Sequence, residues 1–164
     1  MAQMPRAIYD QMVRCAVEAP LTTDGLREEI CGLIAADADG LVSRLIPIDN
    51  IAGDDGKRGS PYRYLMAPLQ VMRAQNAVDD EGGVIWGVYH SHIASPARLS
   101  PTDLRAAFFP PGEFDTGDLI FPGAFYIVVS LASDPPDARA FRVQRGRKPN
   151  GDPVDPIEEP IELV

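Results

Sequence analysis

The sequence is poor in the side chains that form cross-links. It contains only two cysteines, Cys15 and Cys31, and only two histidines, His90 and His92. Two cysteines are too few for a disulfide framework, so we expect free thiols and a location in the reducing cytoplasm. A chain of 164 residues can nevertheless bury a core of its own, and its length fits one domain.

Positive charge and long apolar runs are also scarce. Lys and Arg total 15 against 24 Asp and Glu, which gives a formal net charge of −9. Because phosphate binding needs a basic face, this balance argues against a broad nucleic-acid footprint. No segment approaches the ~20 apolar residues of a membrane helix, and the N-terminus lacks the continuous apolar stretch of a signal peptide. We therefore expect neither nucleic acid nor membrane among the partners.

What the sequence does contain is a mixture of helical and strand patterns. Ile8, Met12 and Cys15 recur at helical spacing and form one apolar stripe. The apolar run from Gly83 to Tyr89 is typical of a central strand. The patterns predict helices over residues 5–19, 68–80 and from 100 onward, and strands over residues 30–36, 41–48, 62–66, 83–89, 125–131 and 140–144. This order predicts an α+β fold (an α/β sandwich), with a mixed central β-sheet flanked by helices.

The two histidines lie two residues apart where the central strand ends, so their side chains point to the same face. On its own, such a pair is also typical of a solvated turn. Likewise, Ser100, followed by Pro and then by Asp103, is typical of an ordinary helix start. The two patterns together suggest more, because a helix that begins in this loop could direct the Asp103 carboxylate towards the end of the strand. Two histidines, one carboxylate and one open position are typical of a catalytic zinc ion.

A catalytic zinc site also needs a base for its water molecule. Glu28 and Glu29 both precede the first apolar strand, which is an unusual place for a purely solvated charge. An ordinary surface glutamate remains an alternative for either. Along a strand, Glu29 shares a face with Cys31, whereas Glu28 shares the opposite face with Ile30.

The spacing of these residues resembles the signature of the JAMM (MPN+) metalloproteases. In chain order, the matching positions are Glu29-x-Cys31-Gly32, then His90-Ser91-His92, then seven residues, then Ser100-x-x-Asp103. The resemblance covers roughly residues 6–145 and implies a JAMM/MPN, cytidine-deaminase-like architecture. It suggests a metalloprotease domain over residues 1–148. The Pro- and acid-rich segment 149–164 would be either a disordered tail or a closing edge strand.

The resemblance also implies a role for each matching residue. His90, His92 and Asp103 would hold Zn²⁺. Glu29 would be the general base that activates the water and passes its proton to the leaving amine. Ser100 would donate a hydrogen bond to the developing oxyanion. Many members of the family have proline after the second histidine, whereas this chain has Ile93.

The function implied by the resemblance is hydrolysis of the bond after the C-terminal Gly-Gly of a ubiquitin-like or sulfur-carrier protein. The small prokaryotic branch, which this chain resembles, frees cysteine or a conjugated lysine from the carrier tail. The tail would bind as an added strand beside the site. Two alternatives are a non-catalytic MPN scaffold and a DNA-repair-associated member with the same spacing.

Residues 109–123 make a segment longer than a minimal member of the family needs. The segment combines prolines and glycines with apolar residues, among them Phe109, Phe114 and Phe121, and is too apolar for a freely solvated loop. It could pack onto the domain itself, form a flap over the substrate tail, or contact a second copy of the chain in a homodimer.

Overall fold

The computed structural model describes residues 1–164, which form three helices and ten strands. The helices are α1 (Arg6–Val17), α2 (Pro68–Asp80) and α3 (Pro101–Ala106). The strands are β1 (Ala2–Met4), β2 (Cys31–Ala36), β3 (Val42–Ile48), β4 (Val84–His92), β5 (Phe108–Phe109), β6 (Asp118–Leu119), β7 (Phe125–Ser130), β8 (Asp137–Arg142), β9 (Ile157–Glu159) and β10 (Ile161–Leu163). No helix is long and apolar enough to cross a membrane.

Six of the strands form the main sheet, in the order β3-β2-β4-β7-β8-β9. Only β4 and β7 are parallel to each other, and every other neighbouring pair is antiparallel. All residues of β2 and β7 are buried, as their continuous apolar sequences require of inner strands. The prediction of an α+β fold with a mixed central sheet is confirmed.

Helices cover both faces of this sheet. On one face, α1 packs Met12 and Ala16 into a cluster that includes Ile34 and Ile127. On the other face, a second cluster is built around Leu33, and residues of α2 and α3 pack against it. This second face is also the one to which β4 presents its two histidines, because His90 and Val88 lie two residues apart.

The last residues of the chain pair with two different parts of the molecule. Ile157–Glu159 forms the edge strand of the main sheet beside β8. After Pro160, Ile161–Leu163 runs parallel to β1 in a separate two-stranded sheet. Segment 149–164 thus contains two short strands.

The interpretation of residues 62–66 as a strand was wrong. Their alternating pattern is that of a strand, but only Met66 forms an isolated bridge, to Asn50. The turn after Pro61 and the hydrogen bonds from Asn50 hold the segment in an irregular path, in which Leu65 N–H donates to the Asn50 side chain at 3.0 Å.

The 109–123 segment packs mainly onto its own domain. Phe114 and Phe121 are buried in the second cluster, and the short strands β5 and β6 pair with each other. Phe109 and Ile120 keep large exposed fractions, 70% and 46%.

Candidate metal centre and active site

The candidate site begins with two buried histidines at the end of β4. His90 lies opposite Cys31 of β2 and beside Val128 of β7, and His92 lies beside Ser130. Because the parallel neighbour β7 continues alongside to Ser130, β4 stays extended through both histidines. Their rings therefore share one face of the sheet, as the sequence predicted.

The third side chain of the site comes from the first turn of α3. Ser100 is the N-cap residue, and its Oγ accepts a hydrogen bond from Asp103 N–H at 3.1 Å. In return, Asp103 Oδ2 accepts a hydrogen bond from Ser100 N–H at 2.7 Å, which completes a capping box. This reciprocal pair turns the Asp103 carboxylate back from the helix towards the strand end.

The three side chains converge on one point. His90 Nε2 lies 3.1 Å from His92 Nε2, and Asp103 Oδ2 lies 3.3 Å and 3.4 Å from these two nitrogens. In a tetrahedral zinc site with bonds of ~2.0–2.1 Å, neighbouring ligand atoms are ~3.3–3.4 Å apart. The two nitrogens and one oxygen therefore fit three corners of such a site and leave the fourth corner for water or substrate.

The protonation of His90 and Asp103 also suits a cation, whereas that of His92 is shifted the other way. Burial lowers the pKa of His90, which favours the neutral ring that a metal ion requires. Burial alone would raise the pKa of Asp103, but its hydrogen bonds with His90 and His92 outweigh burial and hold that pKa far below the usual range. For His92, burial acts to lower the pKa, yet its hydrogen bonds to Asp103 and Pro96 raise it overall.

Two neighbouring groups fix the orientation of the histidine rings. His92 Nδ1 lies 2.9 Å from the Pro96 carbonyl oxygen. Donation of an Nδ1 proton to this oxygen leaves the Nε2 lone pair for the centre. Tyr64 stacks on His90 with ring centroids 4.4 Å apart. Sequence reasoning missed Tyr64, because the alternation in residues 62–66 indicated a strand and gave no signal of a contact with histidine.

Glu29 is positioned by the start of β2. Ile30 N–H donates to Ser91 Oγ at 2.8 Å, and Ser91 N–H donates to the Ile30 carbonyl at 3.0 Å. The middle residue of the His-Ser-His motif thus ties the Glu29 segment to the strand that carries the histidines. The Glu29 backbone is held further by Asn50 Nδ2, which donates to its carbonyl at 2.9 Å.

The Glu29 side chain is buried but makes no hydrogen bond within the protein. Burial raises its pKa to about 7, the Asp103 charge acts in the same direction, and His92 opposes them. Glu29 lines the same cleft as His92, Ser100 and Asp103. Glu28, the other candidate carboxylate, is half-buried and lies outside this cleft.

The cleft has a volume of about 470 Å³. Its other walls come from the loop after Ser60 and from the loop between β4 and α3. The lining residues not yet placed are Tyr62, Arg63, Ser95, Pro96, Arg98, Leu99 and Thr102. The structure therefore places the Glu29 carboxylate, the Ser100 N-cap and two members of the candidate metal-binding triad, His92 and Asp103, around one solvent-accessible space.

Residues 5–144 match the model of a protein family described as prokaryotic homologues of the JAB domain. The chain belongs to this JAB family. The matched range contains all the site residues above, from Glu29 to Asp103. The resemblance to JAMM proteins noted in the sequence is therefore confirmed at the level of the family, and the roles of single residues stay predictions.

Two curated relatives share part of the sequence. The chain is 37% identical over 67 residues to a probable TtuB-protein conjugate cleaving protease of Thermus thermophilus. This alignment covers 40% of this chain and 41% of the relative. It is 30% identical over 83 residues to the desampylase of Haloferax volcanii, and this second alignment covers 50% of this chain and 56% of the relative. The chain thus aligns with only about half the length of these relatives.

Solved structures of similar shape include two bacterial proteins. A solution structure from Desulfitobacterium hafniense superposes with a TM-score of 0.69 at 27% identity, and covers 100% of this chain and 93% of that one. A second, from Salinibacter ruber, superposes with a TM-score of 0.56 at 26% identity, and covers 100% and 92%. These JAB-like neighbours extend over the whole chain, including segment 149–164.

Proposed function

We propose that this JAB-family protein is a zinc-dependent peptidase. It would hydrolyse the peptide or isopeptide bond after the C-terminal Gly-Gly of a ubiquitin-like or sulfur-carrier protein. The observation that carries the proposal is the convergence of His90, His92 and Asp103 at the wall of a cleft that is also lined by the unpartnered Glu29 carboxylate. The names of the two curated relatives, a conjugate cleaving protease and a desampylase, support the same class of reaction.

Within this proposal, His90, His92 and Asp103 hold the zinc ion. When bound, zinc polarises the scissile carbonyl and lowers the pKa of a water molecule to about 7. Glu29 takes the proton that this water loses and passes it to the departing amine. A carboxyl group whose pKa is near 7 suits both steps, because it can accept and release a proton at neutral pH.

Ser100 stabilises the charge that develops on the scissile oxygen. Its Oγ already accepts the Asp103 N–H bond, so the lone pairs are partly used while the hydroxyl proton remains free to be donated. The capping box holds this hydroxyl at a fixed place beside Asp103, and a pre-positioned donor costs little reorganisation during the reaction.

Two features argue against a role as a non-catalytic scaffold. All three positions for metal ligands are filled, and they meet at distances that suit zinc. Two of the three proposed ligands, His92 and Asp103, line an open cleft that water or a substrate can enter, which is typical of catalytic rather than structural zinc. We place the reaction in the cytoplasm, because Cys15 and Cys31 are both free thiols.

The proposal is tested with defined carrier adducts and mass spectrometry. One substrate is a sulfur carrier whose Gly-Gly end bears a single added cysteine, and the other carries a lysine isopeptide at the same glycine. The zinc-loaded protein should release the leaving group from at least one of them. Glu29→Gln should retain zinc but lose about 10²–10⁴-fold in rate, since an amide cannot accept the proton.

Glu28→Gln is the matched control, because it removes the neighbouring carboxylate outside the cleft. It should cleave at the rate of the parent protein. If both substrates stay intact with zinc-loaded parent protein, the proposed function is wrong. If Glu28→Gln is the inactive variant instead, the assignment of the base is wrong.

A further inference from the structure

Two arginines at the cleft, Arg63 and Arg98, have no acidic partner. Both are exposed and both line the cleft. The two acids of the cleft, Glu29 and Asp103, are buried, and the site already uses them. Five of the arginines elsewhere in the chain do form ion pairs with carboxylates, namely Arg44, Arg58, Arg139, Arg145 and Arg147. In a chain with a net charge of −9, the rim of this cleft is therefore locally cationic.

Arg98 is held close to a metal ligand by its backbone. The Pro96 carbonyl accepts the Arg98 N–H at 2.8 Å, and the same oxygen lies 2.9 Å from His92 Nδ1. One carbonyl therefore fixes both the ring of His92 and the main chain of Arg98. The Arg98 guanidinium, which makes no bond within the protein, extends from this fixed point along the cleft.

Arg63 is held close to the base and to the other metal ligand. Its carbonyl accepts a hydrogen bond from Asn50 Nδ2 at 3.1 Å, and the same Nδ2 donates to the Glu29 carbonyl. Its Nε donates to the Ala52 carbonyl at 3.0 Å, which anchors the guanidinium and leaves its two terminal nitrogens free. The next residue is Tyr64, which stacks on His90.

A second, apolar groove lies near the metal centre, on the far side of the Tyr64 ring that stacks on His90. It has a volume of about 220 Å³, and its floor includes Val88, two residues before His90 on the same face. No charged side chain lines this groove, and its remaining walls are almost all aliphatic and aromatic. The two spaces near the centre thus differ in charge, because the groove has an uncharged lining and the cleft has two guanidinium groups.

We propose that Arg63 and Arg98 bind the α-carboxylate of the leaving group, and that this group is a single amino acid. This inference rests on the proposed function and narrows its substrate class. A Gly-Gly end offers a guanidinium only neutral carbonyl oxygens as acceptors. An amino acid attached through its α-amine ends instead in a charged carboxylate, whose carbon is two bonds from the scissile nitrogen. The planar fork of arginine binds such a carboxylate through paired hydrogen bonds.

The reaction then balances as a simple hydrolysis. The C–N bond between glycine and the amino acid breaks, the carbonyl carbon gains the oxygen of water, and the departing amine gains a proton by way of Glu29. The products are the carrier with a free glycine carboxylate and one free amino acid. A lysine joined through its side-chain amine brings no carboxylate to this position, so the two arginines favour the amino-acid adduct over the isopeptide.

The inference is tested by binding, independently of turnover. Acetyl-Gly-Gly-Ala with a free carboxylate is compared with the same peptide as its C-terminal amide. Both are titrated into zinc-loaded Glu29→Gln protein, and the NMR signals of the arginine Nε–H groups are followed. We expect the acid to bind at least about tenfold more tightly than the amide, the factor expected from one charge-assisted hydrogen bond. Higher salt should reduce this preference.

Added to the same background, Arg63→Gln and Arg98→Gln should each weaken the preference, and the double change should abolish it. Arg73→Gln on α2, outside the cleft, is the matched control and should leave the preference intact. Zinc content confirms that each variant keeps its metal centre. Equal binding of acid and amide, or no movement of the Arg63 and Arg98 signals, would overturn the inference. So would a preference that survives the double change, because the carboxylate would then be bound by the metal.

Turnover separates this inference from the proposed function. If the parent protein binds the acid selectively but cleaves no carrier adduct, the proposed function fails and the carboxylate site stands. If it cleaves cysteine and lysine adducts equally well and binds acid and amide equally, the proposed function stands and the inference fails.

Discussion

The Asp103 carboxylate belongs both to the candidate metal centre and to the start of a helix. Its Oδ2 faces both histidine nitrogens and also accepts the N–H of Ser100. The capping box therefore orients the Asp103 carboxylate in the folded protein, before any cation binds. The conformational entropy of this side chain is lost during folding, so a cation would not have to order it. One carboxylate can therefore complete an ordinary helix start and, in the function we propose, also bind the metal ion.

Removal of one histidine should abolish metal binding without disturbing this cap. Purified parent protein should hold about one zinc ion per chain, and His92→Ala should hold almost none after dialysis, because two ligands do not retain zinc. Metal content measured by atomic emission gives the result. Thr102→Ala, which changes another residue of the cleft, should retain zinc. An unchanged zinc content in His92→Ala would contradict the ligand set.

The Glu29 carboxyl should make the zinc-free protein less stable at high pH. Its pKa of about 7 in the folded state exceeds the ordinary value of 4.5, so the folded state holds the proton more tightly. The resulting penalty is absent below pH 4.5, grows as the pH rises, and is complete above about pH 7. Zinc-free Glu29→Gln should thus exceed the parent in free energy of unfolding by about 1–3 kcal/mol at pH 8.

Urea unfolding at pH 4.5 and pH 8 measures this difference. The two proteins should be closely similar at the lower pH and diverge at the higher one. A variant that is less stable than the parent at pH 8 would mean that the ionised carboxylate is stabilised in the fold, contrary to its burial without a hydrogen-bond partner.

The candidate metal ligands could be proposed from the sequence because their spacing is distinctive, and their roles stay predictions. His90 and His92 are the only histidines, and a strand places such a pair on one face. Tyr64, Arg63 and Arg98 left no such trace. Their roles depend on where two irregular loops run, and these paths are set by hydrogen bonds from Asn50 and to the Pro96 carbonyl.

At the scale of elements, continuous apolar runs identified the inner strands well. Residues 31–36 and 125–130 are buried along their whole length, which no surface element allows. Short elements were missed, because β1, β5 and β6 span only two or three residues and owe their pairing to partners far along the chain. Local propensity contains little information about such pairs.

The 109–123 segment contains a matched pair of phenylalanines that tests its packing. Phe114 is 5% exposed, lies in the second core cluster and contacts Phe108 with ring centroids 5.3 Å apart, whereas Phe109 is 70% exposed. Phe114→Ala should lower the free energy of unfolding by about 3–5 kcal/mol, the usual cost of an aromatic cavity. Phe109→Ala should change it by less than about 0.5 kcal/mol.

Chemical denaturation of the two variants gives this comparison directly. Because Phe114 and Phe121 are part of the core, a Gly-Ser linker across 114–121 would remove core contacts as well as any flap over the substrate. Similar losses in both variants would mean that Phe109 is also covered in solution, as a contact with a second copy of the chain would require.

At the scale of the whole molecule, the two ends of the chain stabilise each other. Besides the β1–β10 ladder, Ala2 N–H donates to the Pro160 carbonyl at 2.9 Å and Arg6 N–H to the Val164 carbonyl at 3.0 Å. Ala2 and Met4 are fully buried, and Ile161 packs against their cluster. The division of the chain into a domain over 1–148 and a tail over 149–164 remains a sequence-based prediction, and the stability of a shortened chain decides it.

Deletion of residues 156–164 removes β9 and β10 together. The deletion removes Ile161, which packs against the cluster that contains Met4. It also removes the only strand that pairs with β1 and leaves the outer edge of β8 unpaired. We expect the free energy of unfolding to fall by about 2–5 kcal/mol from lost hydrogen bonds and apolar contacts. Zinc content should be unchanged, because the proposed ligands lie on β4 and α3, which pair with neither deleted strand.

Two point variants serve as matched controls for the deletion. Ile161→Ala should reproduce part of the loss and Glu162→Ala very little, since Ile161 packs on the core and Glu162 is exposed. A shortened protein as stable as the parent would show instead that residues 149–164 are a dispensable tail on a self-sufficient domain.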